Sequence, residues 1–354
     1  MKSPLSYLLA LTLCLTPIFA DEEAENRLQA RLAKALTKFP DADANQDGTL
    51  TKEEFDAYRK NARPNSTAPP SRGNAPASPI TRYTESQLTE RFEAKTFQDI
   101  HYRFFEPDNP DGEKLPLLLS LHGAGGKGTD NVKNLKIWNG VITEPEFQAK
   151  HPCYIVVPQS VGPWRVAGSE PNVTDDMIET FPEVWKRIIS GRKAWLEANP
   201  KGNLQTVFAL LDSLGQDLPV DLDRVYVLGH SMGGFGSFEA IAQAPNRFAA
   251  AIPSAGGLAA WHDPQTFAHV PIWAFHGDQD TTVPFALSQL VFDQLALAEG
   301  NMKLTRLGGV GHGAAIYAFV YSGDAMHETF HTSATHAECD LTEDVWTWLF
   351  RQSR

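Results

Sequence analysis

Three segments of this 354-residue chain carry residues whose types and order fit nucleophilic hydrolysis. The first is GHSMGG, from Gly229 to Gly234, which follows RVYVL and precedes FGSFEAIA. Its G-x-S-x-G spacing, between a predicted strand and a predicted helix, marks a sharp turn that lifts a serine hydroxyl above a sheet edge. Ser231 is therefore the candidate nucleophile. A serine hydroxyl reacts only when a base takes its proton, and the base needs a carboxylate to orient it. The second segment, WAFHGDQDTTVP, offers Asp278 and Asp280. Asp280 is preferred because it lies further out on the loop, ahead of the proline expected to start the next helix. Asp278 is then a turn-former. The third segment, LGGVGHG, offers His312 between glycines. Serine, acid and histidine follow in that order, each closing a different predicted strand. His230, His276 and His122 compete for the role of base. His230 neighbours the serine in sequence, but adjacent residues on such a turn point different ways. His276 precedes the acid on a strand, where packing or hydrogen bonding is expected. His122 ends an earlier strand.

The negative charge that develops during acyl transfer needs backbone N–H donors. Met232, directly after the nucleophile, is one candidate. Ala124 is the other, with Gly123 in reserve, on LHGAGGKGTD, whose small residues allow close backbone approach. A phosphate-cradling loop is disfavoured there, because Lys127 is followed by Gly128 rather than Ser or Thr.

These residues must be held by a scaffold, and the hydrophobic pattern describes one. IHYRFFEP, LPLLLSLHG, CYIVVPQS, RVYVLGH, AAAIPSAGG, VPIWAFHGD and MKLTRLGGVGH read as strands. Several are apolar on both faces and end in Gly, Pro or Ser, as buried parallel strands do. FPEVWKRIISGRKAWLEA and PFALSQLVFDQLALAEG have helical spacing. Alternating strands and helices predict an α/β domain with a mostly parallel sheet, whose ligands sit beyond the carboxyl ends of the strands.

Taken together, LPLLLSLHGAGGKGTDN, VVPQ, GHSMGG, AFHGDQDTTVP and GVGH resemble the secreted bacterial carboxylesterases related to polyhydroxybutyrate depolymerases and to feruloyl or acetylxylan esterases. Some members of that group are described as predicted peptidases. The resemblance spans about residues 96–352. It implies an α/β-hydrolase fold, Ser231 as nucleophile with Asp280 and His312 as partners, and an acyl-enzyme. The chain departs from the group after GVGH, where GAAIYAFVYSGDAMHETFHTSATHAECD separates the histidine from the last helix.

A different chemistry is written near the amino terminus. DANQDGTLTKEE, Asp43 to Glu54, fits the EF-hand loop D-x-N-x-D-G-x-L-x-x-x-E. Asp43, Asn45 and Asp47 would supply oxygens to calcium, Thr49 a backbone carbonyl and Glu54 two oxygens, while Gly48 makes the sharp turn. Leu28, Leu32, Leu36 and Phe39 form a stripe on the entering helix, and Phe55 and Tyr58 begin one on the exit helix. Thr51 and Glu54 have capping-box spacing. Calcium is expected to be structural, with no cofactor in catalysis. HETFH, His327 to His331, matches the zinc motif H-E-x-x-H, but its flanks read as loop, and the motif needs a helix.

Composition completes the outline. MKSPLSYLLALTLCLTPIFA has one early lysine, an apolar run and Ala20 ahead of DEEAEN, the layout of an export signal removed after residue 20. Residues 21–62 form the calcium module, the Pro/Ser/Ala-rich 63–82 a linker, and 83–354 the α/β-hydrolase domain. No membrane span is expected after signal cleavage. A formal net charge of −12 argues against a nucleic-acid partner. Of the three cysteines, Cys153 and Cys339 remain in the mature chain. Cys153 opens a strand at the sheet's amino-terminal edge, and Cys339 precedes a helix expected to start at the opposite edge, so the two should stay free. Trp164 could line a pocket or anchor a loop. The sequence sets no oligomeric state. Its leading reading is an exported serine esterase acting on a small-molecule or polymeric ester. A serine peptidase of the same fold and a non-catalytic calcium-dependent binding protein are the competing readings.

Overall fold

A computed structural model describes residues 29, 32–33, 36, 42–61, 78–80, 82–109, 111–166, 203–259 and 262–354. The segments read from sequence as the export signal, most of the linker and the helix FPEVWKRIISGRKAWLEA lie outside the described residues. The chain divides into two compact units, Met1–Ser71 and Arg72–Arg354.

The larger unit is built on one nine-stranded sheet: β1 (Glu93–Phe97), β2 (Ile100–Phe105), β3 (Leu115–Leu121), β4 (Tyr154–Pro158), β5 (Val220–His230), β6 (Ala250–Ser254), β7 (Ile272–Gly277), β8 (Met302–Leu307) and β9 (Phe330–Ala334). Their spatial order is β1-β2-β4-β3-β5-β6-β7-β8-β9. Strands β4 to β8 in that order, with β3 among them, run parallel. Both margins are antiparallel, β1 on β2 and β2 on β4 at one side, β9 on β8 at the other.

The apolar runs are explained by burial on both faces. In β3, Leu117, Leu119 and Leu121 face one core cluster, with Val207, Leu211, Phe238 and Val291 from helices Leu204–Asp217, Met232–Gln243 and Ala286–Leu297. Leu118 faces the other cluster, with Leu88, Trp138, Tyr317 and Trp348. Successive residues of a strand point to opposite faces, so a parallel strand covered by helices on each side must be apolar throughout. β1 and β9 carry no such signal. β1 is EAKTF with mostly exposed side chains, and Phe330 is the one buried residue of β9. The segment 330–334, read from sequence as loop, is this marginal strand.

That strand also corrects the expected position of Cys339. Because β9 runs back along β8, the chain returns to the sheet's amino-terminal edge, where Cys339 Sγ lies 3.8 Å from the carbonyl of Met302. Cys153 precedes β4 at the same edge, and both cysteines are buried and free. They are kept apart sideways. β4 and β8 are five positions apart in the sheet, or about 24 Å at the usual strand spacing, against the roughly 7 Å a disulfide allows between Cα atoms. Thiol titration of the mature protein, denatured without reductant, should find both thiols reactive.

In the smaller unit, residues 29, 32, 33 and 36 are helical, Leu32 is buried, and the helix Lys52–Asn61 follows the acidic loop. Leu50 and Phe55 are buried. No helix among the described residues is long and apolar enough to cross a membrane.

Candidate active site

The nucleophile turn forms where β5 meets the helix Met232–Gln243. Ser231 occupies the junction at φ 58° and ψ −117°, a backbone conformation that disfavours side chains. Two backbone bonds fix it: Ser231 N–H donates to Ser254 O at the end of β6, and Phe235 N–H donates to Ser231 O. The close approach explains a glycine in the motif. A Cβ on Gly233 would lie 2.0 Å from Leu121 O, so any side chain there would force β3 and the helix apart.

His312 lies on the loop after β8 and Asp280 on the loop after β7. His312 Nε2 is 2.9 Å from Ser231 Oγ, and His312 Nδ1 is 2.7 Å from Asp280 Oδ2. An ionised carboxylate only accepts, so Nδ1 carries the proton and the Nε2 lone pair faces the serine O–H. The two loops are laced together. Asp278 N–H donates to Leu307 O and Gln279 N–H to Val310 O, and a Cβ on Gly277 would meet Val310 O at 2.2 Å.

The Asp280 side chain is fully buried. Its Oδ1 accepts the N–H groups of Thr282 and Val283, both at 2.8 Å, while His276 Nε2 stands 3.5 Å from Oδ2. Burial pushes this carboxyl up, but hydrogen bonds from His276, His312 and Val283 outweigh it and hold it well below the usual carboxylate range. Asp278 does something else. Its Oδ2 accepts from Arg306 Nη2 at 2.8 Å and Nε at 3.1 Å, and its Oδ1 from Gly309 N–H at 2.8 Å. It is a clamp between the acid and histidine loops rather than a simple turn-former.

The competing histidines are all placed. His276 is buried, with Nδ1 2.7 Å from Ser288 Oγ and Nε2 2.8 Å from Val283 O. The His230 ring does not turn away from the site, as its place beside the serine suggested. It lies 5.0 Å from the His312 ring, with Nδ1 3.2 Å from Ser254 Oγ. Burial and the neighbouring His312 push it down to about 3, so it is neutral at ordinary pH. His122 is buried beneath the glycine-rich loop. Its Nε2 accepts the Ser160 N–H at 3.0 Å, so its Nδ1–H donates to Gly123 O at 2.7 Å. Burial pushes it down to about 4. Trp164 is a loop anchor: it is buried, and its Nε1–H donates to His122 O at 2.9 Å.

Met232 opens the helix after Ser231, and Ala124 opens the 3-10 turn Ala124–Gly126. The leading N–H of a helical turn has no acceptor one turn back. Both oxyanion candidates are therefore donors of the kind that can serve a ligand. Gly123 lies close by, since a Cβ on it would sit 3.5 Å from Ser231 Cβ.

The acidic loop of the smaller unit has the turn expected of it, with Gly48 at φ +81°. Gly48 N–H donates to Asp43 Oδ2, Asp47 N–H to Asn45 Oδ1 and Thr49 N–H to Asp47 Oδ1. Asp43 Oδ1 is buried with no hydrogen-bond partner, an orphaned oxygen that a hard cation would satisfy. Glu54 makes the cap that its spacing from Thr51 predicts. Its Oε2 accepts from Thr51 N–H and Oγ–H, and its Oε1 from Asn45 N–H, so it caps its own helix. Among the described residues, no three His, Cys, Asp or Glu side chains converge on a metal position. That covers HETFH as well: His327 follows a 3-10 turn and His331 sits on β9, so no helix presents them together.

The sheet order, the strand-to-helix serine and the strand-end histidine and carboxylate define the class: the larger unit has the α/β-hydrolase fold. Comparison with known proteins agrees. Residues 186–350 match the Dienelactone hydrolase family. A solved thermostable esterase is 30% identical, with a TM-score of 0.54, covering 75% of this chain and 64% of its own. A bifunctional acetylxylan esterase/xylanase of Neocallimastix patriciarum is 27% identical over 194 residues, which is 53% of this chain and 22% of that protein. This chain thus spans less than two thirds of either relative's length.

Proposed function

We propose that this protein is an exported serine hydrolase that cleaves carboxylic esters, on carbohydrate-linked or polymeric substrates, through an acyl-enzyme. The observation that carries the reading is the continuous relay from Asp280 Oδ2 through His312 to Ser231 Oγ, with both spacings at hydrogen-bond length. Its esterase relatives support the choice of ester, and the apolar leader supports export.

In this reading, Ser231 Oγ attacks the ester carbonyl while His312 Nε2 takes its proton. Asp280 keeps the imidazole in the required tautomer and stabilises the imidazolium. The N–H groups of Met232 and Ala124 receive the oxyanion. His312 then protonates the departing alcohol, and water, activated by the same nitrogen, releases the acid. The test is a panel of aryl, acetyl-sugar and polyester substrates beside peptide amides, with fluorophosphonate labelling of the wild type. Ester turnover and labelling at Ser231 are expected. Preferential amide cleavage would make the protein a peptidase, and absence of labelling would make it a binding protein.

Calcium is the second element of the proposal. Asp43, Asn45, Asp47, the Thr49 carbonyl and Glu54 form a hard oxygen donor set suited to it. When bound, the ion supplies charge neutralisation and order to the loop and no chemistry to ester cleavage. Isothermal titration of the full chain should show calcium binding in the range of about 10⁻⁴–10⁻³ M typical of extracellular modules. Asp43→Ala should abolish it, while a chelator leaves ester turnover unchanged. Calcium-dependent kcat would refute the separation of roles.

A further inference from the structure

The proposed oxyanion donor Ala124 opens the 3-10 turn Ala124–Gly126. The end of the neighbouring strand β4 braces that turn. Gln159, directly after β4, is buried, and its backbone N–H donates to His101 O on β2 at 2.8 Å. Its side chain reaches across to the glycine-rich loop after β3. Nε2 donates to Gly126 O at 3.0 Å and to Asp130 Oδ1 at 2.9 Å, and Oε1 accepts the Asn131 N–H. Gly126 closes the same 3-10 turn that Ala124 opens, through its N–H to Gly123 O.

Ser160 holds the loop on its other flank. Its N–H donates to His122 Nε2, and its carbonyl accepts the Gly128 N–H at 3.1 Å. Asn131, at φ 54°, is itself moored to β2: its Nδ2 donates to Tyr102 O at 2.9 Å, and its carbonyl accepts from Arg103 Nε. The loop therefore does not define its own position relative to Ser231. Gln159 fixes it together with Ser160 and Asn131, since both amide hydrogens and the amide oxygen of its one rigid group bridge three points of the loop.

We propose that Gln159 is a positioning residue for the reaction, setting the oxyanion turn in register with the nucleophile. An oxyanion donor is useful only where it meets the charge that develops, and displacement by a fraction of an ångström weakens the transition state while leaving substrate binding nearly intact. A purely structural glutamine would lower stability and leave kcat alone. The proposal rests on the ester-hydrolase reading given above.

The test compares wild type with Gln159→Met and Gln159→Glu. The first keeps the size and loses all three bonds. The second keeps an acceptor for Asn131, loses both N–H donors and sets a carboxylate against Asp130. Each is assayed well below its own Tm for kcat and KM on an aryl ester, and for Ki of an aryl trifluoromethyl ketone, which forms the tetrahedral oxyanion on Ser231. The expected result is a fall in kcat of about 10- to 100-fold in both variants, with KM changed less than about threefold and Ki raised by the same factor as kcat falls. Full kcat in either folded variant, a loss confined to KM, or an unchanged Ki beside a reduced kcat overturns the positioning role. If one variant fails to fold, the other decides. A wild type that neither hydrolyses esters nor binds the ketone refutes the ester-hydrolase reading instead.

Discussion

Ser231→Ala should lower kcat on a simple aryl ester by roughly 10⁵- to 10⁶-fold, the scale seen when a serine nucleophile is removed from such a relay. Fluorophosphonate labelling should vanish with it. The fold should survive, because the bonds that hold the turn are made by the Ser231 backbone and not by its hydroxyl. Far-ultraviolet circular dichroism and Tm measured beside kcat separate the two effects. Turnover near that of the wild type in a well-folded variant would falsify the role of Ser231 and move the nucleophile elsewhere. The size of the effect follows from the geometry. With His312 Nε2 already 2.9 Å from Oγ, the reacting groups need no reorganisation before proton transfer, so the hydroxyl is the sole missing part.

Asp280→Asn should cost about 10⁴ in kcat, and Asp278→Asn should cost little. The two aspartates are two residues apart and both bonded to the histidine loop, Asp280 buried and Asp278 half-buried, so the contrast sets chemistry against a structural clamp. An asparagine at position 280 can present an N–H to His312 Nδ1, which favours the tautomer whose Nε2 carries the proton and cannot accept from Ser231. The N–H groups of Thr282 and Val283 would still hold an Asn oxygen, so the loop should keep its shape. At position 278 the carboxylate meets Arg306, whose side chain is 47% exposed. Loss of that partly solvated pair, with Gly309 N–H still able to reach an amide oxygen, should lower stability by no more than about 1 kcal/mol. Measuring kcat and Tm for both variants checks the assignment. A larger loss at 278 than at 280 would exchange their roles.

Much of this arrangement could be read from the sequence because burial left a strong imprint. β3, β4, β6 and β7 are covered on both faces, and their continuous apolar runs say so. Ser231, Asp280 and His312 each follow a strand of the parallel core, β5, β7 and β8, so their order after strand ends, with their place on the loops, named the residues that meet. The margins were less legible. β1 and β9 are short and half-exposed, and EAKTF and FHTSA have the composition of loops. Missing β9 also sent Cys339 to the wrong edge of the sheet, because a strand that reverses direction changes where everything after it lies. The supporting shell around the site was hidden for a different reason. His230 beside the His312 ring, His276 beneath Asp280 and Gln159 against Gly126 are contacts between residues far apart in the chain. No local spacing encodes them. One signal was available for Gln159: a polar residue directly closing an apolar strand, in VVPQ, is placed where a neighbouring strand's loop can use it. Glu54 was legible in one of its two readings, since the capping-box spacing with Thr51 is the contact it makes.

The left-handed backbone at Ser231 has a consequence for how this protein can be improved. Holding a side chain at φ 58° costs about 1–3 kcal/mol, and a glycine would relieve it. Ser231 is thus one of several positions in the larger unit, with Gln98, Asn131, Ala255 and Glu299, where a glycine would relieve backbone strain, and it is the one whose side chain the proposed reaction cannot spare. Screening variants for thermal resistance alone would favour inactive enzymes at this position, and selection for turnover must hold the protein below the stability its scaffold could reach.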